Sequence, residues 1–318
     1  MPAHPGRPRF RAHPGPGVGQ SRARARPCRG RRLLHAARAG SARLRVVVWH
    51  RRAARRNANG AGDGSPRVIA PVGMWRAWAQ AALDLLLPCA CVVCGRLNDR
   101  SDHGLACVRC WNRVATLPAP RCERCGHPIG ARRCTWCDLL PAYVRCGRSV
   151  CWIDRGSGAA IVHELKYGGW HGLAEPMAAR MARLTWPDDV VRERNALVAV
   201  PLAGARQRER GFNQSACLAH ALARHWSIPV WDDVLMRARE TETQTRLTPE
   251  ARRRNVSGAF RAIAGTRARL RGAHLVLVDD VVTTGATLAE CASALLDGGA
   301  RIASFVTFGR APASGDHR

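Results

Sequence analysis

Eight cysteines between positions 91 and 137 constrain the fold of this chain more than any other feature, because they form four Cys-x-x-Cys pairs. Two cysteines at this spacing can bind one metal ion through both thiolates, at about 2.3 Å each for zinc. Two such turns make a closed tetrahedral site, so the sequence predicts one or two structural Zn2+ sites without deciding which pairs share an ion. The predicted ligands are Cys91, Cys94, Cys107, Cys110, Cys122, Cys125, Cys134 and Cys137.

Other uses of these cysteines agree less well with the pattern. Disulfides would require a secreted chain, and no secretion signal is visible. A redox Cys-x-x-Cys motif normally occurs once, whereas iron–sulfur clusters are also held by four thiolates and stay open as an alternative. A closed four-thiolate site leaves no position for water, so we expect the metal to fold a small domain rather than to catalyse a reaction. Outside the N-terminal segment, the remaining cysteines are expected to be small buried hydrophobes: Cys89, Cys146, Cys151, Cys217 and Cys291.

Positive charge is concentrated in the first 73 residues. The chain carries 51 Lys and Arg against 23 Asp and Glu, and residues 1–73 hold 17 arginines with Asp63 as their one acid. A segment of this composition buries too little apolar surface to offset its ordering entropy, so a disordered extension is expected over 1–73. Three interpretations remain: a faint twin-arginine signal at Arg31-Arg32, a basic nucleic-acid-binding arm, or a mis-assigned start with translation beginning at Met74. The third is favoured, because an amphipathic pattern begins directly after Met74.

The stretch from Leu275 to Leu288 carries the clearest chemistry. Four apolar residues predict a buried parallel strand, and Asp279 and Asp280 follow at its carboxyl end. A turn rich in threonine then opens a helix, whose N-terminus offers free N–H groups to a phosphate. The two carboxylates suit ribose hydroxyls or Mg2+, whereas a helix cap would explain one acid but not both. The sequence therefore predicts a receptor for a ribose 5-phosphate.

A second strand, predicted at 196–201, is followed by three arginines in a loop that Gly211 closes. Guanidinium groups at the carboxyl end of a neighbouring strand could bind a pyrophosphate through bidentate hydrogen bonds, although a solvated charge run is the alternative. Lys166 is the only lysine in the chain. A compact ammonium group could therefore be required there, or the lysine could be an ordinary charge at a helix end before Gly168.

Residues 276–288 closely resemble the phosphoribosyl-pyrophosphate (PRPP) signature of type I phosphoribosyltransferases. Residues 163–169, 198–214 and 237–260 resemble the ComF branch of that family, which also carries a four-pair cysteine domain ahead of the fold. The resemblance covers about residues 83–310. It implies an α/β fold, with a type I phosphoribosyltransferase-like parallel sheet flanked by helices and preceded by a small Cys-rich zinc-ribbon domain.

The same resemblance implies that the chain binds PRPP with Mg2+ and transfers the phosphoribosyl group by displacing pyrophosphate. Asp279 and Asp280 would bind the ribose hydroxyls and stabilise positive charge on the ring. Arg206, Arg210 and Lys166 would stabilise the leaving pyrophosphate. The implied PRPP-binding residues are Asp279, Asp280, Val281, Thr283, Thr284, Gly285, Ala286, Thr287 and Arg208.

Residues 239–255 form a long polar connection, which the resemblance identifies as the flexible loop that covers PRPP. The residues expected to act within it are Thr241, Gln244, Arg252 and Asn255. Each of them could instead cap a helix that starts near Thr248.

Together these observations predict two folded domains after the extension: a double zinc ribbon over 74–142 and a phosphoribosyltransferase domain over 143–318. The expected function is phosphoribosyl transfer to an unidentified acceptor, with nucleobases and amines as candidate classes. The alternative is a non-catalytic, PRPP-sensing competence factor associated with single-stranded DNA or with competence proteins in DNA uptake. No apolar run reaches the roughly 20 residues that cross a bilayer, so a cytoplasmic protein without a membrane span is expected.

Overall fold

The architecture is given by a computed structural model that describes residues 90–98, 104–129, 134–239 and 249–312, with the backbone alone at 249, 250, 252 and 253. Its strands are β1 (Val114–Thr116), β2 (Val144–Gly156), β3 (Arg194–Ala199), β4 (Leu235–Arg237), β5 (Phe260–Ala262), β6 (His274–Val282) and β7 (Ile302–Arg310). Its α-helices are α1 (Val108–Asn112), α2 (Gly158–Tyr167), α3 (Ala174–Ala182), α4 (Asp188–Glu193), α5 (Gly204–Arg210), α6 (Gln214–Trp226), α7 (Pro249–Val256), α8 (Arg267–Leu270) and α9 (Ala286–Asp297). Short 3-10 helices occur at Thr135–Leu139 and His171–Leu173.

Five of these strands form the central sheet, in the order β1-β2-β7-β6-β3. The last four run parallel to one another, and β1 pairs antiparallel with β2 at the edge. Parallel strands are buried on both faces, which explains the continuous apolar runs in β3 and β6. The predicted α/β fold with a mostly parallel sheet is thus confirmed.

Alternate residues along the strands divide the core into two layers, because successive side chains of a strand point to opposite faces. Val276 and Val278 of β6 pack in one layer with α2, α3 and α6. Leu275 and Leu277 pack in the other layer with α9. The sheet therefore has helices on both faces, and the carboxyl ends of its strands are left as the place for a site.

Two elements differ from the sequence-based expectation. Strand β6 continues to Val282, so both aspartates lie within the strand and not after it. The three arginines predicted in a loop lie instead on helix α5, which Gly211 ends with φ +76°. Arginine, glutamine and glutamate favour helix, and glycine adopts the left-handed conformation at a helix end without a steric penalty, so the segment folds as a short helix.

The segment expected to be a flexible loop lies between β4 and β5, which pair antiparallel as a separate two-stranded sheet. Helix α7 occupies its second half, close to the position of the alternative helix start near Thr248. Within the described residues, no helix combines the length and apolar character needed to cross a membrane.

Candidate functional site

Two carboxylates lie at the carboxyl end of β6 and are held by side chains from neighbouring helices. The Ser215 hydroxyl donates to Asp279 Oδ1 at 2.7 Å, and the backbone N–H of Asp280 donates to the same oxygen at 2.9 Å. Lys166 Nζ lies 2.7 Å from Asp280 Oδ2. Three elements, α2, α6 and β6, therefore converge on this pair.

The pair is electrostatically strained, because two adjacent carboxylates lie where little water reaches. The pKa of Asp279 is raised from 3.8 to about 7, mainly because burial removes its solvation and secondly because Asp280 carries a charge of the same sign. Burial by itself would lower the pKa of the Lys166 ammonium group, but the charge of Asp280, the hydrogen bond to it and the charge of Asp279 together raise that pKa. Asp280 itself is only 4% exposed. The only lysine of the chain thus neutralises a buried carboxylate.

The turn after β6 leads into the amino end of α9. Gly285 precedes the helix with φ +78°, a conformation that side chains disfavour. Thr284 Oγ1 accepts a hydrogen bond from the N–H of Ala286 at 3.4 Å. Thr284 therefore supports the start of the helix, while Thr283 and Thr287 face the adjacent cavity.

This cavity measures about 240 Å³ and joins the carboxylate pair, the turn and helix α5. The predicted site residues among its lining are Lys166, Arg206, Arg210, Asp279, Asp280, Val281, Thr283, Gly285, Ala286 and Thr287. Arg208 and Thr284 are not among them. On a helix, residues four apart share one side and residues two apart do not, so Arg206 and Arg210 reach the cavity while Arg208 is exposed to solvent.

Arg210 has a guanidinium group that is only partly hydrogen-bonded and lines the cavity. Its Nη1 donates to Gln214 Oε1 at 2.9 Å, and its guanidinium group lies 4.7 Å from the centroid of the Tyr167 ring. Its Nε is buried and has no hydrogen-bond partner within the described part of the chain. An unsatisfied buried donor is costly, so a ligand acceptor at this place would be stabilising.

Sequence reasoning missed four polar residues that line the cavity: Tyr167, Gln214, Ser215 and Arg237. Two of them had a usable signal. Tyr167 directly follows the only lysine, and Ser215 lies in the first turn of α6, just after the arginine segment. Nothing in the local pattern indicated that Ser215 would bind Asp279, because that contact depends on how α6 packs on β6.

The expected flexible-loop residues are only partly visible. Thr241 and Gln244 lie outside the described residues, as does the side chain of Arg252. Asn255 belongs to α7, and its backbone carbonyl accepts a hydrogen bond from Arg239 Nη2 at 2.9 Å. Their role over the cavity stays a prediction.

The eight predicted metal ligands form two groups of four, and within each group all sulfurs lie within 4.8 Å of one another. The first cluster consists of Cys91, Cys94, Cys107 and Cys110, and the second of Cys122, Cys125, Cys134 and Cys137. Consecutive pairs along the chain thus share a site, which the sequence left open.

The sulfur separations of the first cluster fit zinc, and the sulfurs of the second cluster lie slightly closer together than a tetrahedral zinc site requires. Pairs of sulfurs approach to 3.7 and 3.8 Å in the first cluster and to 3.3 and 3.4 Å in the second. Tetrahedral zinc with bonds of about 2.3 Å requires sulfurs about 3.8 Å apart. Gly95 and Gly126 adopt φ +72° and +68° after the second Cys of their pairs, as such turns require. Four of the cysteines expected in the core are buried: Cys146, Cys151, Cys217 and Cys291.

Comparisons with known proteins agree with two metal-binding clusters in this part of the chain. The model of the double zinc ribbon domain matches residues 82–148. A DNA utilization protein YhgH of Salmonella typhimurium is 40% identical over 229 residues, which cover 68% of this chain and 94% of the relative. A competence protein F of Haemophilus influenzae is 38% identical over 144 residues, which cover 45% of this chain and 55% of the relative.

Among solved structures, a hypoxanthine phosphoribosyltransferase of Trypanosoma cruzi is 21% identical and covers 45% of this chain and 64% of its own. The TM-score of 0.24 is too low for that likeness to carry an argument.

Proposed function

Since the chain belongs to the ComF family, a family with a phosphoribosyltransferase fold, we propose that it is a phosphoribosyltransferase that binds PRPP and Mg2+. The observation that carries the proposal is the convergence of Asp279, Asp280 and Arg210 on one cavity beside the turn that begins α9. Carboxylates suit the ribose hydroxyls, and the helix N-terminus and the guanidinium group suit the phosphates.

In the proposed reaction the bond between C1 of the ribose and the pyrophosphate oxygen breaks, and a bond from the acceptor nucleophile to C1 forms. Pyrophosphate leaves with the electron pair, and the acceptor releases its proton to solvent. Arg206 and Arg210 would stabilise the departing charge, while Asp279 and Asp280 would hold the ribose and stabilise positive charge on its ring. The acceptor is unidentified, with nucleobases and amines as candidate classes.

The donor set also fits Mg2+, which prefers carboxylate oxygens and keeps several waters. Both aspartates already have protein partners, Ser215 for Asp279 and Lys166 for Asp280. We therefore propose that the ion enters together with the pyrophosphate group, and that Lys166 holds Asp280 in place for the ribose.

Calorimetric titration of PRPP into the full-length, zinc-loaded protein tests this proposal. We expect binding that depends on Mg2+ and that Asp279→Asn/Asp280→Asn weakens by at least about 100-fold, since each lost charged hydrogen bond is worth about 1.5–3 kcal/mol. Arg192→Ala is the matched control, because this exposed arginine lies on α4, just before the amino end of β3. No binding at millimolar PRPP to folded protein would refute the proposal.

Arginines of α5 give a finer test. Arg206→Ala should weaken PRPP binding by about tenfold, because its side chain lines the cavity. Equal weakening by Arg208→Ala would show that the predicted role of Arg208 is right and that the exposed side of α5 also meets the ligand.

A second candidate function is association with single-stranded DNA, with PRPP as an effector. It is favoured by the names of the relatives, DNA utilization protein and competence protein F, and by the excess of arginine. Binding to a fluorescent single-stranded oligonucleotide over a salt series tests it, and absence of binding at about 50 mM salt would exclude it.

We also propose the domain limits 74–142 and 143–318 and a cytoplasmic location. The boundary between the two domains lies inside the zinc-ribbon match to 82–148, and it is supported by the start of β2, the first parallel strand along the chain, at Val144. Limited proteolysis followed by mass spectrometry would test these limits.

A further inference from the structure

The second cluster lies directly against the turn that is proposed to bind phosphate. Trp136 stands between the ligands Cys134 and Cys137 in a 3-10 helix and is 3% exposed. A Cβ atom added to Gly285 would lie 3.2 Å from Trp136 Cη2 and 3.5 Å from Leu140 Cδ2. The turn therefore rests on side chains that belong to the metal-binding segment.

Arg310 links the same cluster to the strand that leads into the turn. This arginine is fully buried, its guanidinium group lies 4.2 Å from the centroid of the Trp136 ring, and Nη2 donates to the carbonyl of Cys125 at 2.6 Å. It lies opposite Val282 in the pairing of β6 with β7. A continuous set of contacts thus runs from a metal ligand to the last residue of β6.

The turn has a physical need for such support. Gly285 holds φ +78°, and glycine loses more conformational freedom on ordering than any other residue. A turn that is already held in its binding conformation does not bear this entropy cost when the ligand binds. A bulky, buried side chain packed against Gly285 restricts the turn in this way.

The first cluster provides a natural contrast. Trp111 follows its ligand Cys110 and is also 3% exposed. Its ring packs edge to face on Phe308 at 6.2 Å, and the guanidinium group of Arg180 lies 3.8 Å from its centroid. These contacts lead to the other face of the sheet and to α3.

We propose that Trp136 is a positioning residue, through which the metal-bound second cluster holds the turn 283–287 in the conformation that binds the phosphate of the ligand. This inference rests on the proposed function for the identity of the ligand, but not for the contact itself. The role of the second cluster then extends beyond folding its own ribbon, because a closed four-thiolate site fixes the 3-10 helix that carries Trp136.

The test compares Trp136→Leu with Trp111→Leu in the full-length, zinc-loaded protein. Zinc content, hydrogen exchange of peptides that cover residues 280–290, and PRPP affinity with Mg2+ are measured for both. We expect both variants to keep two zinc ions. Trp136→Leu should speed exchange in the turn and raise the Kd for PRPP, each by about tenfold, whereas Trp111→Leu should change each by less than twofold.

Each outcome decides the matter. Equal exchange in the turn of both variants would overturn the inference, whatever happens to PRPP. If the wild-type protein binds no PRPP, the proposed function fails, and hydrogen exchange alone still decides whether Trp136 positions the turn. If Trp136→Leu does not fold, Trp136→Phe replaces it, because a shorter ring keeps an aromatic face for Arg310 and lacks the Cη2 atom over Gly285. Unchanged exchange and affinity in that variant would likewise overturn the inference.

Discussion

The two cysteine clusters are built alike but attach to the sheet differently. Each has a buried tryptophan next to a ligand, an arginine over the indole ring, and a phenylalanine of β7 beneath it. The phenylalanines are Phe308 for the first cluster and Phe305 for the second. Three positions along a strand reverse the direction of a side chain, so the clusters pack on opposite faces of one sheet.

The two tryptophans differ in the element that they contact on the side away from the cluster. On the first face Trp111 contacts helix α3, a structural element of the core. On the second face the neighbour is Gly285, in the turn proposed to bind phosphate. Equivalent metal sites can therefore have unequal consequences for a binding site, depending on the strand face that they cover.

Removal of one ligand from each cluster should have the largest effect. We expect Cys110→Ser and Cys125→Ser each to lose one of two zinc ions and to unfold the ribbon concerned, because structural zinc contributes about 10–16 kcal/mol to such small domains. Only Cys125→Ser should also loosen the turn 283–287. Metal analysis by mass spectrometry and hydrogen exchange measure both results, and retention of two zinc ions by either variant would contradict the proposed ligand role of the substituted cysteine.

The second-largest effect is expected from substituting the arginine that lies over each indole ring, because the two arginines should contribute unequally to stability. Arg310→Met removes a fully buried charge and leaves the Cys125 carbonyl without this donor, so it should lower the free energy of unfolding by about 3 kcal/mol. Arg180→Met should cost about 1 kcal/mol, because Arg180 is only partly buried and a methionine keeps contact with Trp111. Urea unfolding measures both values, and equal values would remove this difference between the faces.

Alanine substitutions at two glycines can distinguish the cost of backbone strain from the cost of crowding against Trp136. Gly285 and Gly272 have similar φ values of +78° and +73°, but an added Cβ meets Trp136 at the first and nothing within 4 Å at the second. Gly272→Ala should cost about 1 kcal/mol from strain alone, and Gly285→Ala about 2 kcal/mol. The excess should disappear when Trp136→Phe is combined with Gly285→Ala, as a double-mutant cycle would show.

Between pH 5.5 and 6.5 the carboxylate pair should change the free energy of unfolding by at most about 1.4 kcal/mol. Burial and Asp280 raise the pKa of Asp279 from 3.8 to about 7, so the native state holds a proton that the unfolded chain has already released. The free energy of unfolding should therefore fall as pH rises from about 4 towards 7. Asp279→Asn should remove this slope between pH 5.5 and 6.5, with zinc content followed as a control for the thiolate clusters. A slope unchanged by the substitution would contradict the raised pKa of Asp279.

Much of the molecule follows from short stretches of sequence. The cysteine spacing predicted the eight ligands, and the run from Leu275 to Leu288 predicted a strand, a turn and the start of a helix that the structure confirms. The isolated lysine at 166 lies at the carboxylate pair. These features are local, since a spacing of a few residues decides whether side chains share a turn, a strand face or a helix face.

The arginine segment shows where local reasoning failed. A run of arginines reads as a solvated loop, but a helix separates Arg206 and Arg210 from Arg208 and so decides which of them reach the cavity.

Sequence alone thus determined the grouping of the cysteines into pairs and the strand, turn and helix around Asp279, and it predicted residues for binding ribose and phosphate. Tertiary structure decided that consecutive cysteine pairs share a site, that Ser215 binds Asp279, and that Trp136 covers Gly285. Arg310 and Cys125 are 185 positions apart along the chain and yet form a hydrogen bond. Such contacts arise only when the strands have taken their order in the sheet, because packing of distant elements, and not the pattern within any one of them, brings these atoms together.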